Sequence, residues 1–178
     1  MAIDKIQSES INLADTFAFT GTVTGAGQTN QPSFKATLSS NQSMSDATSA
    51  TVTFNNEIFD TASCYDTSNY RFTPNVAGKY LVISQVNCNT DAATMLNVNV
   101  TLKKNGSDEC FDGLDQRVTG GSPDAEASGY NVKGKIVTIV DMNGSSDYLS
   151  MTAYIDATGT IIVNGGLDQS YFSAYKLF

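Results

Sequence analysis

The sequence predicts an all-β protein, an antiparallel jelly-roll sandwich with an extended N-terminal arm. Short apolar segments recur between turn residues from about residue 34 onward, as expected for a sandwich of about eight to ten strands. No segment shows the apolar stripe of an amphipathic helix. Only 16% of the residues are charged, and Ser, Thr, Asn and Gly fill the remaining polar positions, a composition that does not favour helices.

Residues 1–30 are predicted to form an anchoring arm and linker, and residues 31–178 the jelly-roll domain. The arm places its apolar residues on alternate positions, which is the period of an extended strand with one apolar face: Ile11, Leu13, Phe17, Phe19 and Val23. The following segment GAGQTNQPS has the composition of a flexible linker. We expect the arm to dock on a neighbouring protein by adding a strand to it. The alternative is that residues 11–23 are the first strand of the main sheet.

The first strands of the domain follow in order along the chain. Residues 34–38 alternate as a short strand, and the polar residues 39–49 are predicted to be a loop. Residues 51–54 and 58–59 flank the pair Asn55-Asn56 as two further short strands. Residues 78–86 are almost continuously apolar, which indicates a strand that is covered on both faces.

Three Asn-Gly pairs predict tight turns between the later strands. Asn105-Gly106 follows residues 98–104, Asn143-Gly144 lies between residues 136–142 and 148–155, and Asn164-Gly165 precedes residues 170–178. Asn-Gly accepts the positive φ angles of type I′ turns, so these pairs are hairpin signals. The polar, Gly-rich residues 119–129 are predicted to be a loop that makes partner-specific contacts.

The composition argues against several classes of function. Ten Lys and Arg residues against eighteen Asp and Glu residues give a formal charge of −8, which disfavours nucleic-acid binding. The chain has no His, no G-x-S-x-G elbow and no phosphate-binding loop, so we expect no enzymatic activity. Cys64, Cys88 and Cys110 form no C-x-x-C pair and too small a set for a disulfide framework, so we expect free thiols.

The N-terminal residues carry neither the basic nor the apolar region of a signal peptide. No stretch of roughly 18 apolar residues, the length needed to span a bilayer, occurs anywhere in the sequence. We therefore expect a protein that is made in a host cytoplasm and does not enter a membrane.

An acidic segment is the strongest candidate for a metal site. Its carboxylates lie close together in the sequence: Asp108, Glu109, Asp112 and Asp115. Ca²⁺ is a hard cation that takes six to eight oxygen ligands, so calcium is the ion that this segment would bind. The spacing fits no twelve-residue calcium loop, and the alternative is a solvated loop after a hairpin. No other cofactor is expected.

Two separated motifs resemble a known fold family. The first is the Tyr65-Asp66 turn, the sequence Arg71-Phe72-Thr73-Pro74 and the sequence Ala77-Gly78-Lys79-Tyr80. The second is the C-terminal Phe172-Ser173-Ala174-Tyr175, in which Ala replaces the usual Gly. With the short first strand at residues 34–38, these motifs resemble the complement globular-head and tumour-necrosis-factor jelly-roll superfamily over residues 34–178. The resemblance implies a compact homotrimer used for binding or display.

A homotrimer is also favoured by strands that are apolar on both faces, since a lone sandwich needs only one apolar face per strand. The expected interface lies on the sheet that contains the C-terminal strand, at Tyr80, Val82, Ile136, Tyr171, Phe172, Tyr175 and Phe178. Aromatic residues fill sandwich cores and subunit interfaces more often than they form a carbohydrate-stacking surface, which is the alternative role for them.

The leading functional hypothesis is a virion structural protein. Secreted members of the superfamily carry a signal peptide and often a collagen stalk, whereas the low charge and the short extension here look like those of tailed-phage structural proteins. We expect a trimeric capsid decoration or cement protein, located in the virion, whose arm binds the major capsid protein or another virion protein. One alternative is the receptor-binding tip of a phage tail or head fibre. Another is a carbohydrate-binding module that recognises a host surface glycan, weakened by the absence of Trp.

Overall fold

The structure, a computed structural model, describes residues 31–91, 95–115 and 130–177. In this part of the chain there are thirteen strands and no helix, and the strands form two antiparallel sheets. Sheet A contains β1 (Ser33–Thr37), β2 (Gln42–Ser43), β4 (Asn56–Asp60), β7 (Gly78–Thr90), β10 (Tyr130–Met142), β12 (Ile161–Val163) and β13 (Tyr171–Lys176). Sheet B contains β3 (Ala50–Thr51), β5 (Tyr65–Asp66), β6 (Arg71–Phe72), β8 (Met95–Lys104), β9 (Ser107–Asp115) and β11 (Leu149–Ala157). The prediction of an all-β jelly-roll sandwich is confirmed.

Strand β7 organises sheet A. Along one edge it pairs with β10 over its full length, from Gly78 opposite Met142 to Thr90 opposite Tyr130. Its other edge pairs with β13 and, further along, with β12. Strands β1 and β4 continue the sheet beyond β13. In sheet B, β8 lies between β9 and β11, and β11 also pairs with β6 and β3.

The two sheets approach each other along one long side of the sandwich, where β9 of sheet B lies beside β10 of sheet A. We call this side the seam. The backbone N–H of Lys135 donates a hydrogen bond of 2.7 Å to Oδ2 of Asp112 across the seam. A Cβ atom at Gly134 would lie 2.6 Å from Cγ2 of Val100, so a side chain there would push the sheets apart. Glycine therefore allows β10 to pack closely on β8.

The residues of the two sequence motifs meet in one aromatic cluster in the core. The ring of Phe34 stacks on Tyr65 at 4.6 Å and on Phe72 at 4.5 Å, and meets the edge of Phe172 at 4.9 Å. Phe72 contacts Tyr80 at 5.6 Å. Tyr65 is buried, and its hydroxyl donates a hydrogen bond of 2.8 Å to a backbone carbonyl. The motifs thus identify the fold because their side chains build its core.

Only one of the three Asn-Gly pairs forms a hairpin. Asn105 and Gly106 have φ angles of 53° and 83° and join the paired residues Lys104 and Ser107, as predicted. The prediction for Asn143-Gly144 is wrong, since β10 and β11 belong to different sheets. Here Oδ1 of Asn143 accepts hydrogen bonds from backbone N–H groups of the next residues, which fixes a turn from one sheet to the other.

Asn164-Gly165 does not form a hairpin either, because β12 and β13 both pair with the same edge of β7. The predicted strands at residues 34–38, 78–86, 98–104, 136–142 and 148–155 are present, and several extend further than expected. Strand β9 and the very short β2, β5, β6 and β12 are not predicted from the sequence. The predicted arm and the predicted loop at residues 119–129 lie outside the described residues.

The strand directions give the sandwich two distinct ends. Ser33, where β1 begins, pairs with Tyr175 near the C-terminus, so both limits of the described chain lie at one end, the terminal end. At the opposite end, the loop end, Thr90 pairs with Tyr130 and Met95 pairs with Ala157.

Candidate interaction surfaces

The outer surface of sheet A carries a contiguous apolar patch. Core-facing residues of β7, such as Tyr80 and Val82, alternate with Leu81 and Ile83, whose side chains point away from sheet B. The pairing register places Ile139, Leu81 and Tyr175 side by side, and Val137 beside Ile83. We define the outer apolar face as Leu81, Ile83, Val137, Ile139, Tyr171 and Tyr175.

This patch is accessible to solvent. Val137 is 69% exposed and Ile139 is 55% exposed, large values for aliphatic side chains on a strand. Charged groups border the patch. Lys79 and Asp141 form an ion pair of 2.7 Å at one margin, and the Lys35 ammonium lies 4.9 Å from the ring centre of Tyr171. An apolar centre with a polar rim is the usual anatomy of an interaction surface.

Four residues predicted to lie between copies are instead core residues of a single chain. Tyr80, Val82 and Phe172 are 0% exposed and Ile136 is 3% exposed, because strand alternation directs them into the sandwich. That part of the predicted interface is corrected. Tyr171 and Tyr175 lie on the outer apolar face, and Phe178 lies outside the described residues.

The aliphatic members of the outer apolar face are not among the residues predicted from the sequence. Leu81, Ile83, Val137 and Ile139 belong to the same segments that are predicted to be apolar on both faces. The sequence prediction did not establish which of the alternating residues in these strands point outward and which point into the core. Lys79 before Tyr80 and Asp141 after Val140 carry that signal, since a charged residue at a strand end marks the outward-facing set.

A groove of about 240 Å³ runs along the seam. Phe111 of β9 lies on one side of it and Val137 of β10 on the other. Phe111 is 73% exposed, the highest value among the large apolar side chains of the described residues. Because Val137 belongs to the outer apolar face, the groove and that face are continuous. Phe111 is also missed by the sequence prediction, although an isolated aromatic residue in an acidic segment is a usable signal.

The described side chains of the acidic segment do not gather into a calcium site. It lies in β9, where successive side chains point to opposite sides, so its carboxylates are separated. Asp108 forms an ion pair with Lys103, and Asp112 accepts the hydrogen bond from Lys135 described above. Among the described residues, no three potential metal ligands come together, and the side chain of Asp115 is not described.

The outer surface of sheet B is largely polar, although the exposed Phe111 of β9 lies on it, directly opposite Thr101. Residues of β8 lie opposite residues of β11 in three rows, Asn97 with Asp156, Asn99 with Tyr154, and Thr101 with Thr152. We call these six residues the polar grid. They alternate along their strands with core residues such as Val98, Val100 and Ile155. The two sheets thus present outer surfaces of contrasting chemical character.

The three thiols are unpaired. Cys64 and Cys88 are buried, and Cys110 is half-buried at the seam. Burial raises the pKa of the Cys88 thiol to about 12 and also raises the pKa of Cys64 and Cys110. These thiols are therefore protonated at neutral pH and are poor nucleophiles. No helix that could cross a membrane occurs in residues 31–91, 95–115 and 130–177.

No protein-family model matches the sequence, and no curated protein matches it. Solved structures do match the fold. Murine APRIL superimposes with a TM-score of 0.56 at 10% sequence identity, over 82% of this chain and 98% of that chain. The globular domain of zebrafish complement 1qA superimposes with a TM-score of 0.53 at 11% sequence identity, over 83% of this chain and 97% of that chain. The Eiger TNF of S. frugiperda superimposes with a TM-score of 0.58 at 12% sequence identity, over 83% of this chain and 94% of that chain. The chain therefore has the jelly-roll fold of tumour-necrosis-factor and complement globular-head proteins.

Proposed function

We propose that this protein is a homotrimeric virion structural protein that decorates or reinforces a capsid. The observation that carries the proposal is the outer apolar face. Leaving Val137 and Ile139 exposed to water costs free energy, because apolar surface gains about 25 cal/mol for each Å² that is buried. A second copy is the partner that is always present with the chain.

The position of the apolar surfaces supports a closed ring. The outer apolar face lies on the flat of sheet A, whereas the groove lies on the adjacent edge of the sandwich, and Phe111 extends from the edge strand β9 on the outer side of sheet B. If the edge of one copy packs on the face of the next, each copy turns through a fixed angle, and the contacts close into a ring. Two patches on opposite sides of the molecule would instead build an open fibre. The resemblance of the sequence motifs to a superfamily of homotrimers supports a ring of three.

The charges fit the same arrangement. In a chain of net charge −8, four lysines lie on or beside the outer surface of sheet A, Lys35, Lys79, Lys133 and Lys135, of which Lys79 is paired with Asp141. The edge strand β9 carries exposed Asp108 and Glu109. Packing the acidic edge of one copy against the lysine-bordered face of its neighbour brings opposite charges together, which steers association and fixes the register.

The anchoring proposal follows from the two ends of the sandwich. The described chain begins at the terminal end, so residues 1–30 join the domain there. We propose that Ile11, Leu13, Phe17 and Phe19 bind a shell protein and hold the terminal end toward the capsid. The loop end would then face outward. We therefore also propose that the protein is located in the virion and that the shell protein is its partner.

The anchoring proposal is tested with purified trimer and empty capsids of the virus that encodes it. Deletion of residues 1–30 should leave the number of copies in the assembly unchanged while abolishing capsid binding in a co-sedimentation assay. The double variant Phe17→Asp and Phe19→Asp should lose nearly as much binding, because each carboxylate would have to be desolvated in the docking site. Asp4→Ala and Ser8→Ala together are the matched control and should bind fully.

Two results would overturn the anchoring proposal. One is a truncated protein that still decorates capsids at full occupancy. The other is a truncated protein that no longer folds, which would place residues 11–23 in the main sheet. Binding to host cells with no binding to capsids would favour the fibre-tip alternative instead.

A further inference from the structure

The polar grid carries hydrogen-bonding groups that the rest of the described chain does not use, with Thr152 the buried member of the six at 8% exposed. None of its six side chains forms a hydrogen bond or an ion pair within the described residues, and Oδ1 of Asn97 is shielded from solvent without a partner. Other polar residues of this fold behave differently. Asn105, Asn143 and Asp66 all hold turns through hydrogen bonds to backbone N–H groups. The grid therefore has no comparable structural role.

Gly113 leaves room for the side-chain amide of Asn99. Gly113 of β9 lies opposite Asn99, and Oδ1 of Asn99 occupies the space that a side chain at position 113 would need, 2.1 Å from an ideal Cβ. The Asn99 amide therefore lies over the backbone of β9. A Cβ atom at position 113 would also lie 2.7 Å from the backbone carbonyl oxygen of Val98, so any larger residue would disturb both the amide and the pairing of β8 with β9.

The spacing and chemistry of the grid define the ligand that it fits. Neighbouring strands are about 4.8 Å apart, and residues on the same face of a strand are about 6.8 Å apart, so one cell of the grid has the size of a sugar ring. Amides and hydroxyls both donate and accept hydrogen bonds, as vicinal sugar hydroxyls require. The ring of Tyr154 offers an apolar surface for stacking.

The charges of the grid narrow the ligand further. The six residues include one carboxylate, Asp156, and no cation. Lys103, the next residue of β8 on this face, is ion-paired with Asp108, so the Asp156 carboxylate is the charge that disfavours an anionic glycan or a phosphate backbone here. We propose that the polar grid is a binding site for uncharged oligosaccharides, with Tyr154 as the stacking platform and Asn99 as the principal hydrogen-bonding residue.

This inference goes beyond the proposed function and does not depend on capsid attachment. The grid lies on sheet B, on the opposite side of the sandwich from the outer apolar face. In the proposed ring the neighbouring copy packs on the β9 edge of sheet B, beside β8, so β11 is the grid strand farther from that contact. Several grids in one assembly would also raise the avidity for a repetitive glycan without any new contact.

The test is an array of immobilised oligosaccharides, with uncharged glucans, galactans and mannans beside sialylated and sulfated glycans. The full chain should bind at least one uncharged glycan. Tyr154→Ala and Asn99→Ala should each weaken that binding about tenfold or more, the effect of losing roughly 1.4 kcal/mol. Tyr154→Phe keeps the ring and should retain most of the binding.

Controls separate binding from folding and from association. Asn131→Ala removes an exposed amide from sheet A and should bind normally. Each variant must keep the urea midpoint of the parent to within the change seen for Asn131→Ala. If a variant does not, Asn99→Asp, which preserves side-chain size, replaces it in the binding measurement. Ile139→Asp should change the assembly mass but not the affinity of a single site for a soluble glycan.

Three outcomes would overturn the inference. The first is no binding of any uncharged glycan by the full chain. The second is binding that Tyr154→Ala and Asn99→Ala both leave unchanged. The third is a Tyr154→Ala variant with a smaller assembly mass, which would make the grid a contact between copies.

Discussion

The outer surfaces of sheets A and B have the same geometry and contrasting chemistry, apart from the exposed Phe111 on the edge strand of sheet B. Both are built from long antiparallel strands whose alternate residues point away from a shared core. Sheet A presents Ile139 and Val137, whereas sheet B presents Asn99, Thr101 and Asp156 at equivalent outward positions. Apolar side chains gain free energy when they are covered, and hydrated polar side chains do not. We therefore infer self-association through one face and ligand binding on the other.

The largest expected effect comes from the core that both faces share. Phe172→Ala removes a fully buried ring from the aromatic cluster and should lower the free energy of unfolding by about 3–5 kcal/mol. Tyr171→Ala, on the outward side of the same strand, is the matched control and should cost far less. Urea unfolding of both variants, each combined with Ile139→Asp to remove association, measures the difference. Equal losses would contradict the placement of Phe172 in the core.

The second effect is on association. Ile139→Asp places a carboxylate in the centre of the outer apolar face, where a neighbouring copy would have to desolvate it, so the assembly should dissociate into monomers. Asn99→Asp adds the same charge to the polar grid and should leave the assembly mass unchanged. Sedimentation velocity of the two variants compares the faces directly. If Asn99→Asp dissociated the assembly and Ile139→Asp did not, the polar grid, and not the outer apolar face, would join the copies.

The third effect is on thiol reactivity. Cys110 lies at the seam and is half-buried, whereas Cys64 and Cys88 are buried in the core. N-ethylmaleimide should therefore modify Cys110 first, and the two core thiols only when the chain unfolds. If the seam packs against a neighbouring copy, Ile139→Asp should make Cys110 react faster. Mass spectrometry of timed samples gives the order, and early modification of Cys88 would show that the core opens locally.

The smallest effect lies at the terminal end, away from both faces. A hydrogen bond from Asn105, one from the backbone of Asn143 and the nearby Lys104 lower the pKa of the Asp147 carboxyl. A lowered pKa in the folded state stabilises the protein above the unfolded-state pKa, and this stability is lost as the pH falls through the folded-state value. Asp147→Asn should therefore make stability less dependent on pH in the acidic range. Urea midpoints measured from neutral to acidic pH would show identical slopes if the carboxylate has no such role.

The fold could be predicted from the sequence because its signals are local. Alternating strands, the Asn105-Gly106 hairpin and the aromatic motifs each act within a few residues or fill a shared core. The surfaces were harder to predict because they depend on which strands become neighbours. Nothing local places Val137 beside Ile83, or Phe111 across a groove from Val137. For the same reason, Asn143-Gly144 has the sequence of a hairpin but joins two different sheets.

The measurement that tests the central claim most directly is the mass of the full chain in solution. Light scattering at micromolar concentration should give three times the chain mass of 18.9 kDa. The Ile139→Asp variant, run in the same buffer, should give a single chain mass. A parent protein that is monomeric, or an Ile139→Asp variant that remains trimeric, would contradict the proposal that the outer apolar face of sheet A joins the copies.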